Sequence, residues 1–177
     1  MKEQQIAITY KVYHRSSELP EEDRELLEHA RKTADKAYAP YSEFCVGAAA
    51  WVRQKNSNDA PQLVTGTNQE NASYPVGICA ERVLLAAISS IAPGGEVIAI
   101  AISYKNKRKD KSNGRPVKSD HPAFPCGMCR QSLYEQEQRQ KKTFRLILAG
   151  QTGEVLVISN ASDLLPLSFK EDLTAKK

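Results

Sequence analysis

The sequence lacks long apolar runs and holds few of the residues that build fibrous chains. Residues 1–5 have none of the apolar character of a signal peptide, and no segment is apolar over the length that spans a bilayer. Nine glycines, nine prolines and 41% hydrophobic residues among 177 exclude a fibrous or disordered chain. These features predict a cytoplasmic globular protein with one sizeable core and no membrane partner.

Positive and negative residues nearly balance, and the formal net charge is +4. Much of the positive excess lies in residues 105–118. This stretch has no aromatic residue after Tyr104 on which a base could stack, and it also contains Asn, Ser, Gly and Pro. We interpret it as a solvated loop and disfavour nucleic acid as a partner. We expect one domain over residues 1–177, with residues 1–20 as an N-terminal extension and residues 105–121 as a basic insertion loop.

Hydrophobic periodicity predicts a mixture of strands and helices. Pro20 and the acidic residues after it start a helix that stops before Pro40. Residues 149–154 alone join the last two predicted strands, and parallel strands need a crossover of about a dozen residues, so these two form an antiparallel hairpin. The order of the predicted strands and helices along the chain indicates an α/β fold with one sheet covered by helices. The predicted strands are 6–13, 46–52, 63–65, 97–102, 144–148 and 155–158, and two further helices begin near residues 79 and 126.

Cys79 and Glu81, followed far along the chain by Cys126 and Cys129, are the most informative residues. Four cysteines in a chain inside the cell indicate metal ligands or buried thiols before disulfides. Cys126 and Cys129 are three apart, so on a first helical turn both sulfurs lie on one side. Three protein ligands leave the fourth position of a tetrahedral zinc ion open for water, as in catalytic sites. We therefore expect one Zn²⁺ per chain, held by Cys79, Cys126 and Cys129.

Glu81 is two residues from Cys79, a spacing that turns the two side chains apart on a helix. Its carboxylate is therefore expected to face the open metal position, where it can take a proton from water and return it to a leaving group. Three thiolates weaken zinc as a Lewis acid, and Arg82 is the neighbouring cation expected to offset their charge by donating to the sulfurs.

Two other interpretations of the cysteines stay open at this point. A structural zinc site would have four cysteine ligands and would use Cys45 as well, or the cysteines could bind no metal. Cys45 lies between Phe44 and Val46 in an apolar predicted strand, so we expect it in the core.

Further motifs narrow the interpretation. The informative segments are residues 38–49, 66–75, 79–82, 125–131 and 164–169. Together they resemble the zinc deaminases, and more narrowly the small, homotetrameric cytidine deaminases whose first metal ligand is cysteine. The resemblance implies a three-layer α/β/α fold with a mixed five-stranded sheet, helices on both faces and a C-terminal antiparallel strand pair. Relative to that family, the segment from Lys105 to His121 is longer than usual.

The resemblance also implies roles for residues in contact with a nucleoside. Phe44 would pack on the nucleobase, and Asn68 and Glu70 would form hydrogen bonds with the ribose hydroxyls. The backbone of Ala80 and the carboxylate of Glu81 would hold the pyrimidine edge. An aromatic face suits any base, and a carboxylate accepts hydrogen bonds from a sugar diol.

The same resemblance implies a homotetramer with active sites shared between subunits. Phe169 would reach the base bound in a neighbouring subunit, and Gln131 would lie just outside the metal ligands, as Arg82 would. The expected reaction is the hydrolytic deamination of cytidine and deoxycytidine to uridine and deoxyuridine with release of ammonia, a step of pyrimidine salvage.

Two alternative functions remain. Deaminases of another cytosine compound, such as blasticidin S, resemble the chain at its metal motifs but lack the run present here at residues 68–72. A zinc-stabilised binding module without turnover, attached to nucleic acid through the basic loop, is a second alternative. Ammonia release from cytidine separates these functions.

Overall fold

The structure is a computed structural model that describes residues 1–169, and their strands form one mixed sheet in the order β1-β6-β5-β4-β2-β3. Neighbouring strands are antiparallel except for β4 and β5, which are parallel. The elements are β1 (Lys11–Tyr13), α1 (Glu21–Ala34), β2 (Phe44–Arg53), β3 (Gln62–Thr67), α2 (Ala80–Ile91), β4 (Glu96–Asn106), α3 (Gly127–Gln140), β5 (Arg145–Ala149) and β6 (Val155–Ile158). Short 3-10 turns lie at Ser16–Glu18, Tyr74–Val76 and Ala161–Leu164.

The sheet has six strands, so the expectation of five was wrong. The additional strand is β1, from the N-terminal extension, in which Lys11 lies opposite Val157 and Tyr13 opposite Val155. β6 would otherwise carry unpaired backbone groups along one edge, and β1 pairs with them. Only the last three residues of the alternating run 6–13 form a strand, because β6 itself is four residues long and offers no longer partner.

Helices cover both faces of the sheet. Successive side chains of a strand point to opposite faces, so neighbouring residues of β2 enter different cores. Ala49 packs with Leu26 and Leu27 of α1 on one face, whereas Ala50 packs with Leu84 of α2 on the other. A three-layer arrangement results. Within the described residues, no helix is long and apolar enough to cross a bilayer.

The antiparallel hairpin predicted at the end of the sheet is confirmed. Leu146 lies opposite Ile158 and Ala149 opposite Val155. The link between β5 and β6 requires glycine, because a Cβ at Gly150 or Gly153 would collide with backbone of residues 119–121. The returning leg of the basic insertion therefore lies directly against this hairpin.

Candidate metal centre and active site

Three of the four cysteines meet where two helices begin. Cys79 immediately precedes α2, Cys126 immediately precedes α3, and Cys129 lies in the first turn of α3. Their sulfurs all lie within 4.8 Å of one another, with Cys79 and Cys126 3.9 Å apart and Cys126 and Cys129 3.5 Å apart. Zinc–sulfur bonds of about 2.3 Å place tetrahedral sulfurs about 3.8 Å apart. The three side chains thus fit a zinc ion with one open position.

Cys45 lies apart from this cluster. It is 2% exposed in β2, opposite Lys105 of β4, and its environment is the core predicted from the sequence. Among residues 1–169, the group able to hold a metal consists of the other three cysteines. A structural site with four cysteine ligands therefore does not form in the described chain.

The helix starts favour thiolates at this site. Cys79 and Cys126 immediately precede their helices, and the positive end of a helix dipole favours the thiolate form of a cysteine placed there. A hydrogen bond from Cys129 lowers the pKa of Cys79 to about 6, and the charge of Arg82 acts in the same direction. The pKa of Cys129 is raised, because it shares its proton with Cys79 and is buried. The shared proton thus favours ionisation of Cys79 ahead of Cys129.

Glu81 lies in the first turn of α2 and is 5% exposed. Burial raises the pKa of its carboxyl, which suits a group that accepts and returns a proton near neutral pH. Gly66 makes this placement possible, because a Cβ there would collide with the backbone of Ala80 and Leu84. The start of α2 therefore lies close against β3, with Ala80 fully buried.

Asn68 and Glu70 lie just beyond β3 and hold the backbone of the neighbouring segment. The Asn68 side chain accepts a hydrogen bond from the Val46 amide at 2.7 Å and donates one to the Phe44 carbonyl at 2.9 Å. Oε2 of Glu70 accepts from the amides of Tyr41 and Ser42 at 2.9 and 3.1 Å. These bonds leave one N–H of the Asn68 amide and Oε1 of Glu70 for a ligand.

Phe44 begins β2 and is 37% exposed. One face of its ring stacks on Tyr104 of β4, with ring centroids 4.6 Å apart and planes inclined by 22°. Tyr104 was not predicted as a site residue, since its sequence position indicates only a strand end. The stack fixes the Phe44 ring at the surface.

Comparison with known proteins identifies the family. Residues 20–144 match the family model described as "Cytidine and deoxycytidylate deaminase zinc-binding region". The chain belongs to this family. A cytidine deaminase from Halalkalibacterium halodurans is 34% identical over 149 residues, which are 83% of this chain and 94% of that protein. A cytidine deaminase from Mycobacterium tuberculosis is 37% identical over 118 residues, 66% of this chain and 74% of that protein.

A solved structure supports the same assignment. The 1.6 Å crystal structure of cytidine deaminase from Burkholderia pseudomallei superposes with a TM-score of 0.64 at 35% identity, covering 85% of this chain and all of that one. The cytidine deaminase-like α/β fold predicted from the sequence is thereby confirmed. Zinc is accordingly the cofactor, and the cluster of three cysteines offers one site for it per chain.

The two side chains expected just outside the ligands of this deaminase are both half-buried. Arg82 lies in α2 and Gln131 in α3. Across residues 1–169, Arg82 forms no hydrogen bond with the cysteine sulfurs, although its charge lowers the pKa of Cys79. Its described effect on the site is therefore electrostatic.

Two side chains of α3, neither of which was predicted as a site residue, form hydrogen bonds with the backbone of residues 161–164. Arg130 donates to the carbonyl of Pro125 at 2.9 Å and to that of Leu164 at 3.4 Å. Glu137 is 3% exposed and accepts hydrogen bonds from the amides of Phe144, Ala161 and Ser162. The sequence around a charged residue in a helix does not indicate which distant backbone groups its side chain binds. Together these bonds fix the segment that leads to Phe169.

The surface beside the cysteines carries exposed apolar side chains. Met128 lies between the two cysteines of α3 and is 63% exposed, and Phe124 just before them is also exposed. Phe169 is 65% exposed, so it is not a core residue of its own chain. Two grooves of about 490 and 620 Å³ lie elsewhere, against α3 and α1. At the metal centre Cys126 is exposed, so the centre reaches the surface of the single chain.

Proposed function

We propose that this chain catalyses the hydrolytic deamination of cytidine and deoxycytidine to uridine and deoxyuridine, with release of ammonia, as in pyrimidine salvage. The observation that carries the proposal is the buried Glu81 carboxyl at the start of α2, beside three cysteines that fit a zinc ion. The similar proteins named above are cytidine deaminases, which supports cytosine nucleosides as the substrate class.

The chemistry divides between the metal and Glu81. Zinc, when bound, polarises a water molecule for attack on the amino-bearing carbon of the pyrimidine. Glu81 accepts the proton that this water releases and returns it to the substrate, so that the amino group leaves as ammonia. Water and cytidine are consumed and uridine and ammonia are formed. Burial of Glu81 favours both halves of this shuttle, because a raised pKa makes its protonated form accessible.

Five residues, together with the catalytic Glu81, are proposed to hold the nucleoside. Phe44 packs on the base with the ring face that Tyr104 leaves free, while the backbone of Ala80 and Glu81 hold the pyrimidine edge. Asn68 and Glu70 bind the ribose hydroxyls through the N–H and Oε1 that the backbone of residues 41–46 does not use. The contributing residues are Phe44, Asn68, Glu70, Ala80 and, from a neighbouring subunit, Phe169.

We further propose that the active unit is a homotetramer. Met128 and Phe124, which neighbour Cys126 in sequence, and Phe169 are all large, apolar and exposed, which supports burial of these side chains against a partner. Light scattering tests this directly, with an expected mass of about four times the chain mass of 19.6 kDa. A fully active monomer would exclude a site shared between subunits.

The proposed substrate is a free nucleoside rather than a nucleotide or polynucleotide. The Glu70 carboxylate beside the sugar would repel an added phosphate, and like charges at close range disfavour binding. Arg108 lies on the same side and could offset part of this repulsion. Rates on cytidine, cytidine monophosphate and a cytosine-containing oligonucleotide, measured side by side, decide the question. Efficient turnover of either phosphorylated substrate would overturn the assignment.

Ammonia release from cytidine by the zinc-loaded protein is the decisive experiment. We expect stoichiometric uridine and ammonia, with Glu81→Gln as the matched control that retains zinc and fold. A zinc-loaded protein that binds cytidine but releases no ammonia would instead establish the binding-module alternative.

A further inference from the structure

The basic insertion forms an ordered hairpin. Lys109 and Pro116 form a β-bridge, and the amide of Val117 donates to the carbonyl of Arg108 at 2.9 Å. Gly114 turns the chain at the tip with φ +68°. We call residues 108–117 the basic hairpin. The loop expected from the sequence therefore has a defined backbone.

The base of the basic hairpin is tied to the sheet. The hydroxyl of Ser119 accepts from the amide of Asn106 at 2.8 Å, and its carbonyl accepts from the amide of Gln151 at 2.6 Å. Both bonds are formed by Ser119, so the returning end of the insertion is joined to the end of β4 and to the link between β5 and β6.

Arg108 connects this hairpin to the segment that Glu70 holds. Its Nε donates to the carbonyl of Ser42 at 2.6 Å, and the amide of Lys107 donates to the carbonyl of Glu43 at 2.9 Å. Ser42 is held on its other side, where its amide donates to Glu70 at 3.1 Å. The residue is therefore clamped between the guanidinium of Arg108 and the carboxylate of Glu70.

The clamped segment needs external support. Glu43 has φ +54°, in the left-handed region that residues other than glycine rarely adopt. Such a strained conformation persists where surrounding contacts fix it. The hydrogen bonds from Lys107 and Arg108 are contacts of this kind.

The electrostatics agree with this geometry. Partial burial opposes ionisation of Glu70, but hydrogen bonds from Ser42 and Tyr41 and the charge of Arg108 lower the pKa of its carboxyl overall. Lys105, another cation of the insertion, pairs with Asp35 at 2.7 Å instead. Among the described residues, Arg108 is the basic side chain of the insertion that donates to the sugar-binding segment.

We propose that Arg108 is a positioning residue for sugar recognition, which fixes Ser42 and through it directs the free oxygen of Glu70 toward the ribose hydroxyls. The inference rests on the proposed function, because it takes Glu70 as the ribose ligand. It assigns part of the substrate specificity to an insertion that lies outside the metal centre.

The test compares Arg108→Ala with Arg115→Ala, a matched control that removes the same charge from the other leg of the hairpin. Steady-state rates are measured on cytidine and on 2′,3′-dideoxycytidine, which lacks the ribose diol. For Arg108→Ala we expect KM for cytidine to rise about three- to ten-fold, because the variant loses one partly exposed, charge-assisted hydrogen bond. The value of kcat should stay within about two-fold of the wild-type value. Dideoxycytidine kinetics should not change, and Arg108→Lys should recover part of the loss because it keeps the charge.

Two measurements do not depend on turnover. Uridine binding by calorimetry should weaken by the same factor in Arg108→Ala and remain unchanged in Arg115→Ala. Amide hydrogen exchange at Tyr41 and Ser42 should accelerate only in Arg108→Ala. Equal loss on both nucleosides, or equal behaviour of the two alanine variants, would overturn the proposal. Absence of ammonia release by the wild-type protein would instead overturn the proposed function, and uridine binding would still decide the role of Arg108.

Discussion

The two ends of the proposed site are built in different ways. At the metal end, Cys129 is fully buried and Glu81 nearly so, and the starts of α2 and α3 fix their positions. At the sugar end, Asn68 and Glu70 are only partly buried and are fixed by hydrogen bonds with the backbone of residues 41–46. The core thus positions the groups proposed for chemistry, whereas surface contacts position those proposed for selection. Changes at the first end should affect zinc and kcat, and changes at the second should affect KM.

Loss of a metal ligand should have the largest effect. Cys126→Ser is expected to lose stoichiometric zinc and all measurable turnover, because three thiolates hold the ion and two cannot complete the site. Metal analysis and ammonia release measure both consequences. Cys45→Ser is the matched control, and it should retain one zinc per chain. Zinc loss in the Cys45 variant would revive the structural site with four cysteine ligands.

Glu81→Gln should come next in size. The substitution keeps volume and hydrogen bonding but removes the proton shuttle, so turnover should fall by about 10²- to 10⁴-fold while zinc and fold persist. The measurement is kcat for ammonia release, with metal content and circular dichroism as controls. Nearly normal ammonia release would remove Glu81 from the mechanism and with it the chemical role of the metal end.

Arg82→Ala should be milder than Glu81→Gln. Because its charge lowers the pKa of Cys79, its loss should weaken metal retention or activity by about 10- to 100-fold. Competition with a zinc chelator and steady-state kinetics measure the two effects. An enzyme unaffected by this change would refute the idea that a cation offsets the thiolate charge.

Asn68→Ala tests the sugar end and should have the smallest effect on chemistry. Both polar groups of the Asn68 amide bind the β2 backbone, so we expect the free energy of unfolding to fall by about 1–3 kcal/mol. KM for cytidine should rise, while kcat and zinc content change little. Denaturant unfolding and kinetics provide the numbers. A fall in kcat with unchanged KM would erase the distinction between the two ends.

The sequence predicted the three cysteines that cluster at the metal end, because the signal around each motif is local even though Cys79 and Cys126 are 47 positions apart. The spacing of Cys126 and Cys129 and the helical periodicity after each motif belong to single helical turns, which pattern reasoning describes. The contacts of the sugar end are not local, since Asn68 bonds to Phe44 and Arg108 bonds to Ser42 across 24 and 66 positions. Side chains that bind distant backbone leave no periodic pattern in the sequence.

The strand count was missed for a related reason. Alternation in residues 6–13 predicted a strand, but the resemblance implied a sheet of five. Whether an alternating segment joins a sheet depends on an unpaired edge elsewhere in the fold, here that of β6. That edge becomes visible only when the strands are assembled.

The sixth strand also affects how readily the protein aggregates. β6 consists of Val155, Leu156, Val157 and Ile158, an uncharged apolar run of high β-propensity. With its outer edge bare, such a strand is a template on which further copies can add by backbone pairing, the first step of aggregation. β1 occupies that edge with only three residues and places the charged Lys11 there. A chain trimmed of residues 1–20 is therefore expected to aggregate more readily than a chain that keeps them.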